Sequence, residues 1–298
     1  MRTKIIATAV CNEPDLDESV EFSARAGRTA LDESALDEAD IGLLINIGVY
    51  RDSNIQEPAL AALIQGRIGL NGDPLSKKGP AFSGAGTFSF DLLNGACGLF
   101  NAVQVAHSFM ETGPTRAALV VSSNVHPSRR RHEGFPFAHL GAAMLLTDSA
   151  TSSGFHSISL QVSQGEYLGS RTVADLGAGA NGRSQLDFEV DADYGERLGI
   201  FAARGVAKYI MQEKIDVKRI KYALVDLSGS DGAGALTREL ALSTDQCIDV
   251  NARYGASFTS FPILGYHMAC AQGVASGDQL LFVSAGAGLT LACGLYVV

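Results

Sequence analysis

The sequence predicts an α/β protein whose structural unit occurs twice, with apolar helices packed between sheets. Three observations lead there. First, Phe22 to Val49 (FSARAGRTALDESALDEADIGLLINIGV) aligns without a gap onto Phe201 to Ser228 (FAARGVAKYIMQEKIDVKRIKYALVDLS), with Phe, Ala, Arg, Asp and Ile identical. Each copy reads as an amphipathic helix, a short polar loop and a buried strand. Second, the order of elements continues alike beyond both copies. Third, helices such as Leu99 to Phe109 lack the polar face of a surface helix, so both their sides must be covered. The two halves are expected near residues 1–150 and 155–298.

In the first half, CNEPDLDESV joins an opening strand directly to the first helix. FSFDLL is strand-like and NGA is a turn. Cys97 then opens a helix that runs to about Glu111, where Gly113 and Pro114 stop it. AALVVSSN and GAAMLLTDS follow as strands. In the second half, CIDVNARYGASFTSFPILGYHMACAQG leads into a buried helix, then QLLFVSAGAG and LTLACGLYVV. Both halves thus read strand, turn, buried helix, strand, strand. The last 19 residues, Leu280 to Val298, carry no charge, but Gly286, Gly288 and Gly294 interrupt them. Two buried strands joined by a tight turn fit better than a membrane span.

The chain has 298 residues, 46% hydrophobic and 18% charged, which suits one large globular domain or two fused ones. A net charge of −9 repels nucleic acid phosphates and anionic lipid, so neither is an expected partner. The run Arg129 to His132 is a solvated loop or a contact for an acidic partner or a phosphate. The N-terminus MRTKIIATAVCNEPDL is too short in its apolar part, and too soon acidic, for a secretory signal. The cysteines Cys11, Cys97, Cys247, Cys270 and Cys293 are odd in number, with no CxxC pair. They predict reduced thiols in a cytoplasmic protein and no metal site. GAGANG (Gly177 to Gly182) does not sit between a strand and a helix. GSDGAG (Gly229 to Gly234) lacks the following Lys-Ser/Thr. Neither predicts a nucleotide site.

Cys97 is the candidate for chemistry. At a helix N-terminus, the dipole and unpaired backbone N–H groups are expected to favour the thiolate and lower its pKa. Gly98 lets a carbonyl approach the backbone. An acyl-accepting cysteine is built this way; a small buried hydrophobe is the other reading of the same residue.

FDLLNGACGLFNAV, the terminal GAGLTLACGLYV, EPALAALIQGRIGL (Glu57 to Leu70) and the duplication together resemble the thiolase fold, most closely the β-ketoacyl-ACP synthase III group. The resemblance covers nearly the whole chain. It implies a duplicated five-layered α-β-α-β-α sandwich and a dimer, with strands such as AALVVSSN pairing with their copy across a two-fold axis. It implies that Cys97 takes an acyl group as a thioester from acyl-CoA or an acyl carrier protein. The backbone N–H groups of Cys97 and Ala287 would then form the oxyanion hole. No bound cofactor is implied; CoA or phosphopantetheine is a substrate carrier.

The chain departs from the group where two further catalytic residues are expected. Ser228 stands at the histidine position, and Gly255 or Ala256 at the asparagine position. Loss of one such donor costs about 100- to 1000-fold in rate. The short first link and His139 at a usual aspartate position are further departures. Among the histidines, His107 and His267 lie in apolar helices and are expected as core or interface residues. His126 and His132 belong to a mobile surface loop by default. His139 is a structural hydrogen-bonder, and His156 is peripheral. The expected function is a synthase III-like acyltransferase, loading an acyl group on Cys97 and passing it on by condensation or simple transfer in specialised fatty-acid or polyketide-type biosynthesis. The alternative is a catalytically degenerate partner subunit, in a heterodimer with a related ketosynthase.

Overall fold

The computed structural model describes residues 3–55, 57–71, 86–113, 115–127, 135–165, 169–173, 187–227, 232–286 and 288–298. In chain order they form β1 (Thr3–Cys11), α1 (Ser19–Asp32), β2 (Ile41–Asn46), α2 (Leu60–Ile68), β3 (Phe88–Asp91), α3 (Gly98–Thr112), β4 (Ala117–Asn124), β5 (Leu140–Asp148) and β6 (Gly154–Val162). There follow β7 (Ser170–Val173), β8 (Asp187–Val190), α4 (Tyr194–Glu213), β9 (Ile220–Leu227), α5 (Gly232–Glu239), α6 (Val250–Tyr254), α7 (Phe261–Gln272), β10 (Gln279–Gly286) and β11 (Thr290–Val297).

Nine strands form one sheet in the order β3-β2-β4-β5-β1-β6-β11-β10-β9, and β7 pairs separately with β8. Among the described residues, the seam between β1 and β6 is a single residue pair, Thr3 with Phe155. Outward from that seam, β1-β5-β4-β2-β3 on one side is answered by β6-β11-β10-β9 on the other. Alternation along the strands sorts the apolar side chains into three cores. Leu44, Leu119 and Leu145 pack under α1 and α2. Leu43, Val120, Leu224 and Phe282 enclose α3 and α7. Ala223, Val225, Leu281 and Leu291 pack under α4 and α5. The layers are therefore α-β-α-β-α, with α3 and α7 in the middle, as their lack of a polar face requires.

The identities between the copies have local causes. Asp37 and Asp216 both precede a 3-10 turn that leads into the second strand of the unit, Glu38–Asp40 before β2 and Val217–Arg219 before β9. The Asp216 carboxylate accepts the Lys218 N–H at 3.1 Å. Gly141 of β5 lets α1 lie directly on the sheet, because a Cβ there would run into the Phe22 carbonyl. The short first link closes as read: β1 ends at Cys11, and Asp52 accepts the Ser19 N–H at 2.8 Å to cap α1. The C-terminus is the expected hairpin, antiparallel from Gln279–Val297 to Gly286–Thr290. Among the described residues, no helix is long and apolar enough to cross a membrane.

Two expectations are overturned. AALVVSSN is β4, hydrogen-bonded to β2 on one side and β5 on the other, so it has no free edge to pair with a copy. The terminal strand of that half is β3. Among the described residues, the second half also has no strand matching β3. Cys247 makes only an isolated parallel bridge with Ala223. Its flanks favour turns instead: Gln246 accepts the Ser243 N–H at 3.0 Å, and Asp249 accepts the Ala252 N–H at 2.9 Å.

Candidate active site

The site begins where β3 ends. Asp91 accepts hydrogen bonds from Asn46 Nδ2 (3.0 Å), Leu60 N (3.0 Å) and Ala61 N (2.8 Å), and pairs with the buried Arg51 at 3.1 Å. One carboxylate thus ties β2, β3 and the start of α2 together. The chain then turns through Gly95, whose φ of 48° suits a residue without a Cβ, into a 3-10 turn ending at Cys97. Cys97 donates its N–H to Asn94 O at 3.0 Å and precedes the first helical residue of α3.

Two segments nearly two hundred residues away in sequence close around the thiol. Cys97 Sγ–H points to Ser284 O at 3.5 Å in β10, and Sγ lies 3.8 Å from Thr290 Oγ1 in β11. Gly286 packs against Ala96, where an added Cβ would stand 3.5 Å from the alanine Cβ. The head of α3 therefore abuts the two ends of the β10–β11 turn. Ala287, within that turn, lies outside the described residues, as does Ser228.

The electrostatics differ from expectation. Cys97 is fully buried, and burial pushes its thiol up from 9.0 to about 11. The Thr290 hydroxyl opposes that rise, and the Asp226 charge adds to it. A helix terminus is worth about 0.3–1 kcal/mol to an ion near it. Removal from water is worth several times more, so the expected lowering does not occur. Asp226 itself sits in β9, in register with Ser284 of β10. Its strand neighbours Val225 and Leu227 face the outer core, while Tyr222 and Leu224 face the middle core that holds Cys97. By alternation Asp226 faces the middle layer too. Its Oδ2 is buried with no hydrogen-bond partner among the described residues, and burial pushes the carboxyl up from 3.8 to about 7.

The facing wall is formed by β4 and the start of α7. Ser122 and Thr259 hydroxyls lie 2.8 Å apart, Ser260 Oγ donates to Ser122 Oγ at 2.9 Å, and Asn124 Nδ2 donates to Ser257 O at 2.6 Å. This buried cluster saturates most of its own hydrogen bonds. Beside it Phe258 adopts φ 44°. Its ring packs on Gly95 and stacks on Phe137 with centroids 4.6 Å apart. Phe137 in turn lines a cavity of about 330 Å³ with Glu13, His126, Phe135 and His139. Phe258 and Phe137 thus stand between that cavity and the turn carrying Cys97. Gly255 and Ala256 lie beside this wall without side-chain donors: the Ala256 carbonyl accepts the Ala138 N–H at 2.8 Å.

The histidines sort as follows. His139 is structural: Nε2 accepts the His126 N–H at 3.1 Å, so Nδ1 carries the proton and donates to Asp17 at 3.1 Å. His126 is not a mobile surface residue. It is buried, with its ring against Phe135 at 4.8 Å. The aromatic cluster, not the loop sequence, decides its place. His267 Nδ1 lies 3.2 Å from Thr8 O, while His107 Nε2 lies 3.8 Å from Glu111. His156 Nε2 meets Ser152 O at 2.7 Å on the surface. His132, the Arg129 to His132 run and GAGANG lie outside the described residues, as does the start of GSDGAG. Sequence reasoning passed over Asp226 and the Ser122–Asn124–Thr259–Ser260 cluster. The available signals were one acid inside the apolar strand YALVDL and the polar ends of AALVVSSN and SFTS.

No protein-family model matches the chain, and no curated protein matches it. Solved structures do. The 3-oxoacyl-(acyl carrier protein) synthase III of Pseudomonas aeruginosa matches with TM-score 0.80 at 15% identity, over 100% of this chain and 98% of that one. The 3-oxoacyl-[acyl-carrier-protein] synthase III of Aquifex aeolicus matches with TM-score 0.73 at 18% identity, over 99% and 100%. A tetronic acid condensing enzyme matches with TM-score 0.78 at 16% identity, over 99% and 100%. At such identities the likeness is one of fold, and it agrees with the three cores and the answering strand orders: the chain has the thiolase-like α-β-α-β-α sandwich of these enzymes.

Proposed function

We propose that this protein is a synthase III-like acyltransferase, in which Cys97 accepts an acyl group from acyl-CoA or an acyl carrier protein and passes it to a carbon, hydroxyl or amine nucleophile. The observation that supports this best is the meeting of Cys97, at the head of α3, with Ser284 and Thr290 at the two ends of the β10–β11 turn. The oxyanion donors of this reading are the backbone N–H of Ala287 and that of Cys97, which must give up its bond to Asn94 O to serve. CoA or phosphopantetheine arrives as the carrier of the substrate, past Phe137 and Phe258, and no resident cofactor takes part. The expected setting is cytoplasmic, in fatty-acid or polyketide-type biosynthesis. The expected oligomer is a dimer formed through the open edge of β3, where Phe88 is 55% exposed and stacked near Phe109.

The test is intact-protein mass spectrometry after incubation with panels of acyl-CoA and acyl carrier protein. An acyl adduct that vanishes in Cys97→Ala supports the reading, and no adduct from either panel removes it. A second reading is a catalytically degenerate subunit that pairs with a complete ketosynthase. The observations favouring it are the full burial of Cys97 and the absence of side-chain donors at Gly255 and Ala256. Co-expression with a related ketosynthase discriminates: activity confined to a stable heterodimer supports the second reading, and a lone active homodimer removes it.

A further inference from the structure

We propose that Asp226 is the proton acceptor for Cys97, in place of a histidine. This rests on Cys97 being the acyl-accepting nucleophile. The position of Asp226 is set by topology. It lies in register with Ser284, whose carbonyl receives the Cys97 thiol at 3.5 Å, and it faces the same middle core as Cys97. Its Oδ2 is buried and has no hydrogen-bond partner among the described residues. A buried, unpaired carboxyl oxygen is costly, and nothing structural is gained from it there: no helix start, cation or hydroxyl among the described residues uses Oδ2. By contrast Asp91, at the end of β3, makes three hydrogen bonds and an ion pair.

The chemistry balances without any further reactant. The Asp226 carboxylate takes the proton from Cys97 Sγ as the sulfur electron pair forms a bond to the carbonyl carbon of the acyl thioester. The tetrahedral intermediate then expels the carrier's sulfur, breaking the old C–S bond, and that sulfur leaves with the proton held by Asp226. The acid is ionised again, and Cys97 carries the acyl group. Because burial holds the thiol proton tightly, this transfer accompanies C–S bond formation and does not precede it. A base with a pKa close to the working pH suits such a step.

The experiment compares wild-type protein with Asp226→Asn and Asp226→Glu, reading two rates at Cys97. One is acylation by an acyl-CoA, followed by intact mass. The other is alkylation by iodoacetamide, followed on the Cys97 peptide. Asp226→Asn is expected to slow acylation by about 100-fold or more. It is expected to leave alkylation unchanged or faster, because removing a negative charge favours the thiolate. Asp226→Glu keeps a carboxylate and is expected to stay within about tenfold of wild type in acylation. Equal acylation in Asp226→Asn and wild type overturns the inference. A parallel fall of both rates in Asp226→Asn also overturns it, because that is the mark of a structural role. A wild-type protein that takes no acyl group from any carrier overturns the proposed function as well.

Discussion

The thiol of Cys97 should be a slow nucleophile toward a small reagent that needs the thiolate. Its shift from 9.0 to about 11 corresponds to about 2.7 kcal/mol in favour of the protonated form. At pH 8 an ordinary thiol at 9.0 is about one-tenth ionised, whereas Cys97 is about one-thousandth ionised, so its alkylation should be about 100-fold slower from ionisation alone. Burial slows it further, since Cys97 is fully enclosed while Cys270 is exposed. The assay is iodoacetamide labelling from pH 7 to 11.5, with each cysteine peptide quantified separately and Cys97→Ala as the blank. The Cys97 rate should keep rising to the top of the range, with no plateau near 9. A Cys97 rate equal to that of Cys270 at pH 8, with an inflection below 9, would refute the argument. It would mean that the dipole of α3 outweighs desolvation.

Four further outcomes follow from the same geometry. Asp226 is raised from 3.8 to about 7, so its contribution to stability is present at low pH and is lost as pH rises from about 4 through 7. Asp226→Asn should therefore gain stability over wild type by about 1.4 kcal/mol per pH unit across that window, read as urea midpoints at pH 4 and pH 8; no change in the difference would contradict this. Asp91→Ala leaves the buried Arg51 unpaired and the start of α2 uncapped, and should destabilise the protein by about 3–5 kcal/mol, with a shift of the urea midpoint under 1 kcal/mol as the opposing result. Gly141→Ala drives a methyl into the Phe22 carbonyl and should cost about 1–3 kcal/mol in the same titration. Phe88→Asp places a charge on the open edge of β3 and should convert a dimer to a monomer in light scattering; an unchanged dimer would exclude that edge.

Much of the architecture is legible because periodicity and polarity report burial on both sides of an element. Leu99 to Phe109 and FPILGYHMACAQ lack the polar face of a surface helix, so a middle helical layer follows, with solvent reaching only their C-terminal ends. The repeated Phe, Arg and Asp of the two copies report a shared helix–turn–strand path, and Asp37 and Asp216 keep the same place before the strand. Pairing partners are less legible, because a continuous apolar run such as AALVVSSN reads the same at an edge and in the interior. The short strand FSFD, which does occupy the edge, carries the weaker signal. In the second half, Ser243, Gln246 and Asp249 satisfy backbone groups locally and replace a strand with turns. In the site, the position of Cys97 follows from the turn glycine and the helix behind it. Its ionisation does not, because the cost of burial depends on Ser284, Thr290 and Asp226, all distant in sequence. His126 is misread for the same reason: its burial depends on Phe135 and His139 folding over it.

The central claim is that Cys97 carries an acyl group. The direct measurement is tandem mass spectrometry of the wild-type protein after incubation with an acyl-CoA panel and with an acyl-loaded carrier protein, locating the added mass within the peptide that contains Cys97. A hydroxylamine-sensitive thioester on Cys97, absent from Cys97→Ala, is expected. An adduct found only on Cys270 or Cys247, or no adduct with any donor, would contradict it.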